Sequence, residues 1–579
     1  MIYNLTILIH NREYTDYTLF ELKTNRKITN EEIIKNIDPI SNKLFSNDII
    51  EYDTESKNVR IKQSFTKKMK NIAGVIITND NKTYGRYKKK LLYKCIPNQN
   101  TLPVFLVPYQ VKQGFYKTNI NKYAIFEFKE WTKDQKHPIC TLNNTLGDVS
   151  NLNVFYEYQL YCNSLFNSIK PFIKATQKKF KGKNEDEYIE IIKHKYNIED
   201  LTNNKDLYIF SIDPECSLDY DDAISIQKKN KNEHIVSIYI ANVPLWLDIL
   251  NLWDSFTDRI STIYLPNRKR PMLPTILSDE LCSLQEKKKR FAFCMDVHVD
   301  SCGNIMDIKY RSCLIKVDKN YSYEESELIK NEHYSRMFNI VSHMRNKYPL
   351  IDSINNSHYL VAYLMIFMNY HCAIKMQNEK CGIYRSVVLK DKNENIPDTV
   401  NKEIKQFITL WKCTIGQYTL YDNIKEHKMI SKRGLDVYMH ITSPIRRLVD
   451  LLNIAIMQQN MKVFKLSESY ESFQKKWIDN LEYINKTMRS IRKVQNTCEL
   501  LTMCSSNPDV LHNKYNGYIF DKILTHKNQY QYMVYIPELK LLNKIILNEE
   551  YNNYSKFDFK LYIFTDEYNV KKKIRLQKI

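Results

Sequence analysis

Between Ser211 and Ile226 the chain reads Ser-Ile-Asp-Pro-Glu-Cys-Ser-Leu-Asp-Tyr-Asp-Asp-Ala-Ile-Ser-Ile, which brings Asp213, Asp219, Asp221 and Asp222 close together in sequence. Carboxylates gathered this tightly raise one another's proton affinity unless a cation lies among them. An all-oxygen ligand set suits magnesium, which keeps open positions for a substrate phosphate. Two such ions about 3.5–4 Å apart can activate a water and stabilise a leaving oxygen. If Asp219–Asp222 is extended, Asp219 and Asp221 face one way and Asp222 the other, while Asp213 returns through the Pro214 turn. A calcium EF-hand loop is excluded, because Ala223 stands at a ligand position and the required glycine is missing. The alternative is an acidic surface turn. Ile212, Ile224 and Ile226 flank the cluster with strand-like apolar residues and favour a partly buried site.

A second constellation is Tyr438-Met439-His440-Ile441-Thr442-Ser443-Pro444-Ile445-Arg446-Arg447-Leu448. Ser443 followed by Pro444 predicts a helix start, with Arg446 and Arg447 in its first turn beside free backbone amides. That is an anion site, and arginine grips phosphate through two donors of fixed geometry. The bland reading, two solvated arginines on an amphipathic helix, is unfavourable at a helix N-terminus. A third stretch, Ile263-Tyr264-Leu265-Pro266-Asn267-Arg268-Lys269-Arg270-Pro271-Met272-Leu273-Pro274, leads to Leu281-Cys282-Ser283-Leu284. Tyr264 could stack on a nucleobase beside this basic loop, or could be an ordinary core tyrosine.

The elements that must position these residues fall into four stretches. Residues 1–66 hold short alternating pieces and a polar helical segment at 31–37. Residues 67–150 carry strand signals at 73–78, 90–95, 104–107 and 123–128 at the spacing of a small barrel. Here Tyr84, Arg86 and Tyr87 precede three lysines, an interleaving found in single-strand binders and also on lysine-protected strand edges. A helical pattern spans 153–181 and another 186–194. Strands at 236–243 and 291–299 then follow the acidic cluster, and a helix-rich stretch runs to about 505. The last segment, 506–579, returns to strands and suggests a second barrel.

With 579 residues, the chain is long enough for several domains. Its 43% hydrophobic and 26% charged residues describe a globular protein. A formal net charge of +20 points to a polyanionic partner, although an A/T-rich coding sequence would also enrich lysine. The 13 cysteines show no Cys-x-x-Cys and no Cys/His pairing, so neither a zinc site nor a disulfide framework is expected. No segment approaches the roughly 20 apolar residues of a membrane span. A soluble intracellular protein, cytoplasmic or nuclear, is expected, without a membrane partner.

Taken in order, five blocks resemble one family: Ser-Ile-Asp-Pro…Leu-Asp-Tyr-Asp-Asp-Ala, Tyr239-Ile240-Ala241-Asn242-Val243, Tyr-Leu-Pro…Pro-Met-Leu-Pro…Leu-Cys-Ser-Leu, Gly382-Ile383-Tyr384-Arg385, and His-Ile-Thr-Ser-Pro-Ile-Arg-Arg. They are similar to the RNB domain of ribonuclease II, ribonuclease R and the hydrolytic exosome subunit, without a PIN domain. The resemblance implies a multidomain α+β fold: a possible partial cold-shock-like barrel at 1–66, a cold-shock-like OB barrel at 67–150, an RNB domain with helical lead-in at 151–505, and an S1-like OB barrel at 506–579. The implied activity is processive 3′→5′ hydrolysis of single-stranded RNA to 5′-monophosphates with Mg²⁺, or Mn²⁺ in its place. A catalytically weak RNA-binding relative and a DNA-directed nuclease are the alternatives. By motif position, Asp213, Asp219, Asp221 and Asp222 match the metal-binding aspartates, Asp221, Asp222 and Arg446 the catalytic set, and Tyr264 the base clamp. Arg446 and Arg447 match the phosphate grip, and Tyr84, Arg86 and Tyr87 fall on the first barrel. Two departures stand out: Tyr-Ile-Ala-Asn replaces His-Ile-Ala-Asp, and Cys381 stands where ribonuclease II has a bulky aromatic, which leaves product length open. A monomer acting on single-stranded RNA is expected, with protein partners unassigned.

Overall fold

The structure, a computed structural model, describes residues 2–579 except 112–118, 183, 390–395, 398, 399, 402, 403, 406, 409, 410, 412, 425–434, 463, 464, 526 and 527. The chain forms two compact units, one of residues 1–166, 265–267 and 492–579, the other of 167–264 and 268–491. Among the described residues no helix is long and apolar enough to cross a membrane.

The first unit begins with a four-stranded antiparallel sheet of β1 (Ile2–Ile9), β2 (Tyr17–Glu21), β3 (Ile49–Asp53) and β4 (Asn58–Gln63), in the order β2-β1-β3-β4. A short helix at Glu31–Asn36 is capped by Asn30, whose side chain accepts from the amides of Glu32 and Ile33. A barrel follows, built from β5 (Ile72–Ile76), β6 (Arg86–Tyr87), β7 (Lys90–Pro97), β8 (Phe105–Tyr109), β9 (Lys122–Glu130) and β10 (Ile139–Asp148). Five of these strands close a ring: β5 pairs with β7, β7 with β8, β8 with β10 in parallel, β10 with β9, and β9 with β5. This is OB connectivity. Gly74 permits the closure, since a Cβ there would lie 2.6 Å from the Ile96 carbonyl oxygen.

The C-terminal strands repeat the pattern. Here β22 (Tyr515–Leu524), β23 (Tyr530–Ile536), β24 (Leu541–Leu547), β25 (Lys556–Thr565) and β26 (Lys572–Lys578) run in the order β24-β23-β22-β25-β26. The Asn543 side chain donates to the Ile574 carbonyl at 2.9 Å and ties β24 to β26. The sequence pattern omits β10, β24 and β26, whose polar residues dilute the alternation. It also merges two helices, Leu152–Cys162 and Lys170–Phe180, which are separated at residues 163–169 before Pro171.

The second unit centres on a seven-stranded sheet in the order β11-β18-β17-β14-β13-β12-β19. Its strands are β11 (Glu199–Asp200), β12 (Ile209–Asp213), β13 (Asp222–Lys228), β14 (Glu233–Ala241), β17 (Lys289–Asp300), β18 (Ile305–Lys316) and β19 (Lys319–Ser322). Between them, β15 (Ile263–Leu265) and β16 (Arg268–Arg270) form a short two-stranded sheet, as do β20 (Ile383–Leu389) and β21 (Cys413–Leu420) later in the chain. Period-two apolar residues of the sheet, including Ile212, Ile224, Ile226, Ile238 and Met295, share a buried core with helices Glu332–Lys347 and Ser357–Asn378. That core holds the acidic end of β12 and β13 in place.

Asp248 ties several elements of this unit together. Its carboxylate accepts from Trp253 Nε1 at 3.1 Å, the Ser467 amide at 3.1 Å, Lys195 Nζ at 3.2 Å, and the Tyr196 and Ser467 hydroxyls. Burial opposes its ionisation, but the bonds from Ser467, Tyr196 and Trp253 outweigh that and hold its pKa below the ordinary value. Asp248→Ala is expected to destabilise the unit by about 3–5 kcal/mol, because it strands several buried donors. Since the folded pKa is depressed, the wild-type contribution is present above the unfolded carboxylate range and is lost as pH falls through the folded value. Urea denaturation at pH 7 and at pH 3 checks both statements; equal losses at the two values would count against them.

Candidate active site

Asp213 closes β12 and Asp222 opens β13, and these strands are antiparallel neighbours. Both carboxylates therefore reach the same end of the sheet, joined by the loop 214–221. Sequence spacing alone suggested a Pro214 turn, and the sheet supplies the reason for it. Ser283 fastens this loop: its hydroxyl donates to the Leu218 carbonyl at 2.7 Å and accepts from the Tyr220 amide at 3.0 Å. The Leu284 amide adds a bond to the Tyr220 carbonyl at 3.0 Å. That is the local reason for a buried serine in Leu-Cys-Ser-Leu.

The four carboxylates have different surroundings. Asp221 is 3% exposed and accepts from the Ile445 amide and from Arg446 Nε, both at 2.9 Å. Asp219 accepts from Tyr264 Oη at 3.2 Å and from Lys269 Nζ at 3.0 Å. Asp213 keeps one buried oxygen, Oδ2, with no hydrogen-bond partner. Burial pushes the Asp213 carboxyl up to about 6, with the Asp219 charge adding to it against Ser211 and Arg446. Burial pushes Asp222 well above the carboxylate range, and the charges of Asp213 and Asp221 push it further. Asp221 rises to about 7 through burial, against the pull of Arg446 and the Ile445 amide.

Among the described residues no three of His, Cys, Asp and Glu converge closely enough to hold a metal ion. All four aspartates are expected from the sequence as metal ligands, and the fold gives them different partners. Two aspartates are committed to protein cations, and two, Asp213 and Asp222, repel each other beside an orphaned oxygen. That pair fits a magnesium ion, which asks the protein for only one or two carboxylates.

The Arg446 loop also differs from expectation. The helix runs Leu448–Asn460 with Arg447 at its N-cap, so it begins after both arginines. Residues 443–447 instead form a turn in which the Ser443 carbonyl accepts from the Arg446 and Arg447 amides at 3.3 and 3.0 Å. The Ser443 amide bonds Asp450 Oδ1 at 2.8 Å rather than capping a helix. The anion seat of this turn is taken by Asp221, through the Ile445 amide. Arg447 bonds the fully buried Asp450 at 2.8 Å, whereas the Arg446 side chain is 41% exposed. Arg446 uses Nε on Asp221 and Nη2 on Ser443 Oγ, and among the described residues its other N–H groups have no hydrogen-bond partner.

Two buried asparagines fix this loop. Asn369 accepts from the Ile441 amide at 2.9 Å and donates to Tyr438 Oη at 3.0 Å. Asn453 accepts from the Ile383 amide and donates to the Ile383 and His440 carbonyls, each at 2.9 Å. Gly382 precedes Ile383 with φ +96°, and a Cβ there would lie 2.9 Å from Met376 Cε. Cys381 sits beside it at the end of helix Ser357–Asn378, its sulfur 2.6 Å from Asn460 Nδ2 and its thiol pushed up to about 11 by burial and Glu379.

Tyr264, on β15, is 39% exposed, and burial of its hydroxyl beside Asp219 raises its pKa. Sequence reasoning missed Lys269 and Asp279, which join Asp219 through space. It also missed Tyr323, whose hydroxyl is raised by burial and by the charges of Asp222 and Asp213, and whose ring stacks on His358 at 3.6 Å. The β19 strand ending at Ser322, the parallel partner of Asp213, is the signal that would have located Tyr323. In the first barrel, Tyr84, Arg86 and Tyr87 lie on the β6–β7 hairpin, where Arg86 is exposed and Lys94 Nζ sits 4.7 Å from the centre of the Tyr84 ring.

Residues 199–338 match the RNB domain. Ribonuclease R of Mycoplasmopsis pulmonis is 29% identical over 346 residues, covering 47% of this chain and 47% of that protein. The chain spans less than half the length of the curated relatives it matches. In fold, it matches Mycoplasma genitalium RNase R, solved in complex with ribose-methylated single-stranded RNA, with a TM-score of 0.67 and 17% identity over 100% of both chains. It also matches yeast Ssd1, described as a pseudonuclease, with a TM-score of 0.60 and 13% identity over 94% of this chain and 79% of that one. The central sheet with its acidic loop is thus an RNB domain flanked in sequence by OB-type barrels. Residues 199–338 of the chain are thus matched to the RNB-domain family.

Proposed function

We propose that this protein is a processive 3′→5′ hydrolytic exoribonuclease that releases 5′-monophosphates from single-stranded RNA. The observation that carries the reading is the partly buried Asp213–Asp222 pair, with an unpartnered oxygen on Asp213, in the same cluster as a partly exposed Arg446. Asp213 and Asp222 would hold Mg²⁺, with Mn²⁺ as a substitute, and the bound ion would supply a Lewis acid and an acidified water for in-line attack. Arg446 directs its remaining N–H groups at the scissile phosphate and offsets charge developing on the phosphoryl oxygens. Asp221 aims Arg446 and keeps its guanidinium from turning away. Tyr264 offers an aromatic face to the terminal base. Arg86, Tyr84 and Tyr87 on the barrel hairpin contribute cationic and stacking contacts to the incoming strand. The boundaries near residues 66, 150 and 505 are proposed as the limits of the modules, and the working state is proposed to be a monomer.

A catalytically weak RNA-binding relative is the second reading, favoured by the pairing of Asp219 and Asp221 with Lys269 and Arg446. Degradation ladders of 5′-labelled single-stranded RNA and DNA, with Mg²⁺ and with EDTA, separate the two. Stepwise shortening of RNA from the 3′ end, abolished by EDTA and absent on DNA, is expected. RNA binding without any shortening would favour the second reading, and equal digestion of DNA would overturn both.

A further inference from the structure

Lys269 lies on β16, and its ammonium bridges two carboxylates, Asp219 Oδ1 and Asp279 Oδ1, each at 3.0 Å. Asp279, on the helical segment Ile276–Leu281, is itself held by the Ser278 hydroxyl at 2.6 Å. The other oxygen of Asp219 accepts the Tyr264 hydroxyl at 3.2 Å. The result is one chain of bonds, Ser278–Asp279–Lys269–Asp219–Tyr264, in which all the carboxylates are mostly buried. Burial opposes the charge of Lys269, but the bonds to Asp279 and Asp219 outweigh it and keep the ammonium charged.

We propose that Lys269 is a positioning residue for the 3′ end of the substrate: it pins the Asp219 carboxylate so that Asp219 holds the Tyr264 hydroxyl and hence the plane of the ring. This rests on the exoribonuclease reading, in which Tyr264 faces the terminal base. With one oxygen on an ammonium and the other on a phenol, Asp219 links Lys269 to the Tyr264 ring through a single carboxylate. An ammonium on a flexible stem suits this, because it can satisfy two acceptors on different elements.

The test is a double-mutant cycle on the full chain, read by fluorescence anisotropy of a 5′-labelled single-stranded RNA in EDTA, so that metal loading and turnover play no part. Lys269→Met and Tyr264→Phe are each expected to weaken binding about fivefold, the effect of one lost charge-assisted bond. The double variant should be no weaker than either single one, and Lys269→Arg should restore most of the affinity. In the presence of Mg²⁺, Lys269→Met should raise KM by a similar factor with kcat little changed, and should lengthen the final product. Asp279→Asn, which removes the other anchor of Lys269, should move the same quantities in the same direction, and keeps the question open to test if Lys269→Met does not fold. Additive losses in the cycle, or wild-type binding and product length in both Lys269→Met and Asp279→Asn, would overturn the proposal. Failure of the wild type to bind or shorten RNA would instead overturn the reading on which it rests.

Discussion

Asp222→Asn is expected to lower the proposed Mg²⁺-dependent release of nucleoside monophosphates by about 10²–10³-fold or more, since it removes one of the two carboxylates proposed to hold the ion. The same change should make the metal-free protein more stable, by about 1 kcal/mol. In the folded chain Asp213 and Asp222 are both pushed above the carboxylate range, by burial first and then by neighbouring carboxylate charge. The folded state therefore holds protons that the unfolded state releases, so metal-free stability falls as pH rises from about 4 through about 6. Asp222→Asn removes part of that fall. Thermal melts of both proteins in EDTA, from pH 4 to 8, measure it directly. Mg²⁺ should raise the wild-type Tm and leave that of the variant almost unmoved. A variant that is active, or one less stable than wild type in EDTA at pH 8, would show that the pair does not share an ion.

Arg446→Met is expected to remove activity and also to destabilise the fold, two effects that a second substitution can separate. The guanidinium leaves behind Asp221, a buried carboxylate held otherwise, among the described residues, by the Ile445 amide alone. Stranding a charge of this kind costs about 1–3 kcal/mol, with the lower end favoured because Arg446 is partly solvated and the pair is screened. Adding Asp221→Asn removes the stranded charge and should recover most of the stability without recovering activity. Urea melts and RNA ladders on the two single variants and the double variant provide the measurement. Recovery of both properties together would mean that Arg446 acts only as a counter-ion and never reaches the phosphate.

Much of the second unit was legible because its chemistry and its core are encoded locally. The isoleucines at 212, 224 and 226 alternate with polar residues and form the buried face of β12 and β13. The acidic residues fall where those strands end, so a period of two and a turn were enough to bring Asp213 and Asp222 together. Harder to read was which side chain takes up a given amide or charge, whether the partner lies near in sequence or far. Ser443-Pro444 has the residue types of a helix start, yet Asp450 takes the Ser443 amide and delays the helix to Leu448. Arg447 is expected beside Arg446 in the phosphate grip, and the fold adds a bond to a fully buried carboxylate one turn later. Lys269 reads as one cation in a basic loop, and only the fold brings Asp219 and Asp279 to it. The strands β24 and β26 escaped detection because a barrel edge carrying lysine and asparagine loses the apolar alternation on which detection depends.

The loop bearing Arg446 is located by two carboxamides, Asn369 and Asn453, each contributed by a different helix. A carboxamide neither titrates nor attracts counter-ions, so this part of the loop's support does not change with salt. In the proposed function the barrels would meet the strand through lysine and arginine, and such a grip weakens steeply as ions compete. A salt titration of the reaction should therefore separate two quantities usually entangled: KM should climb with ionic strength, while kcat, which depends on a loop held by buried amides and buried ion pairs, should stay nearly level.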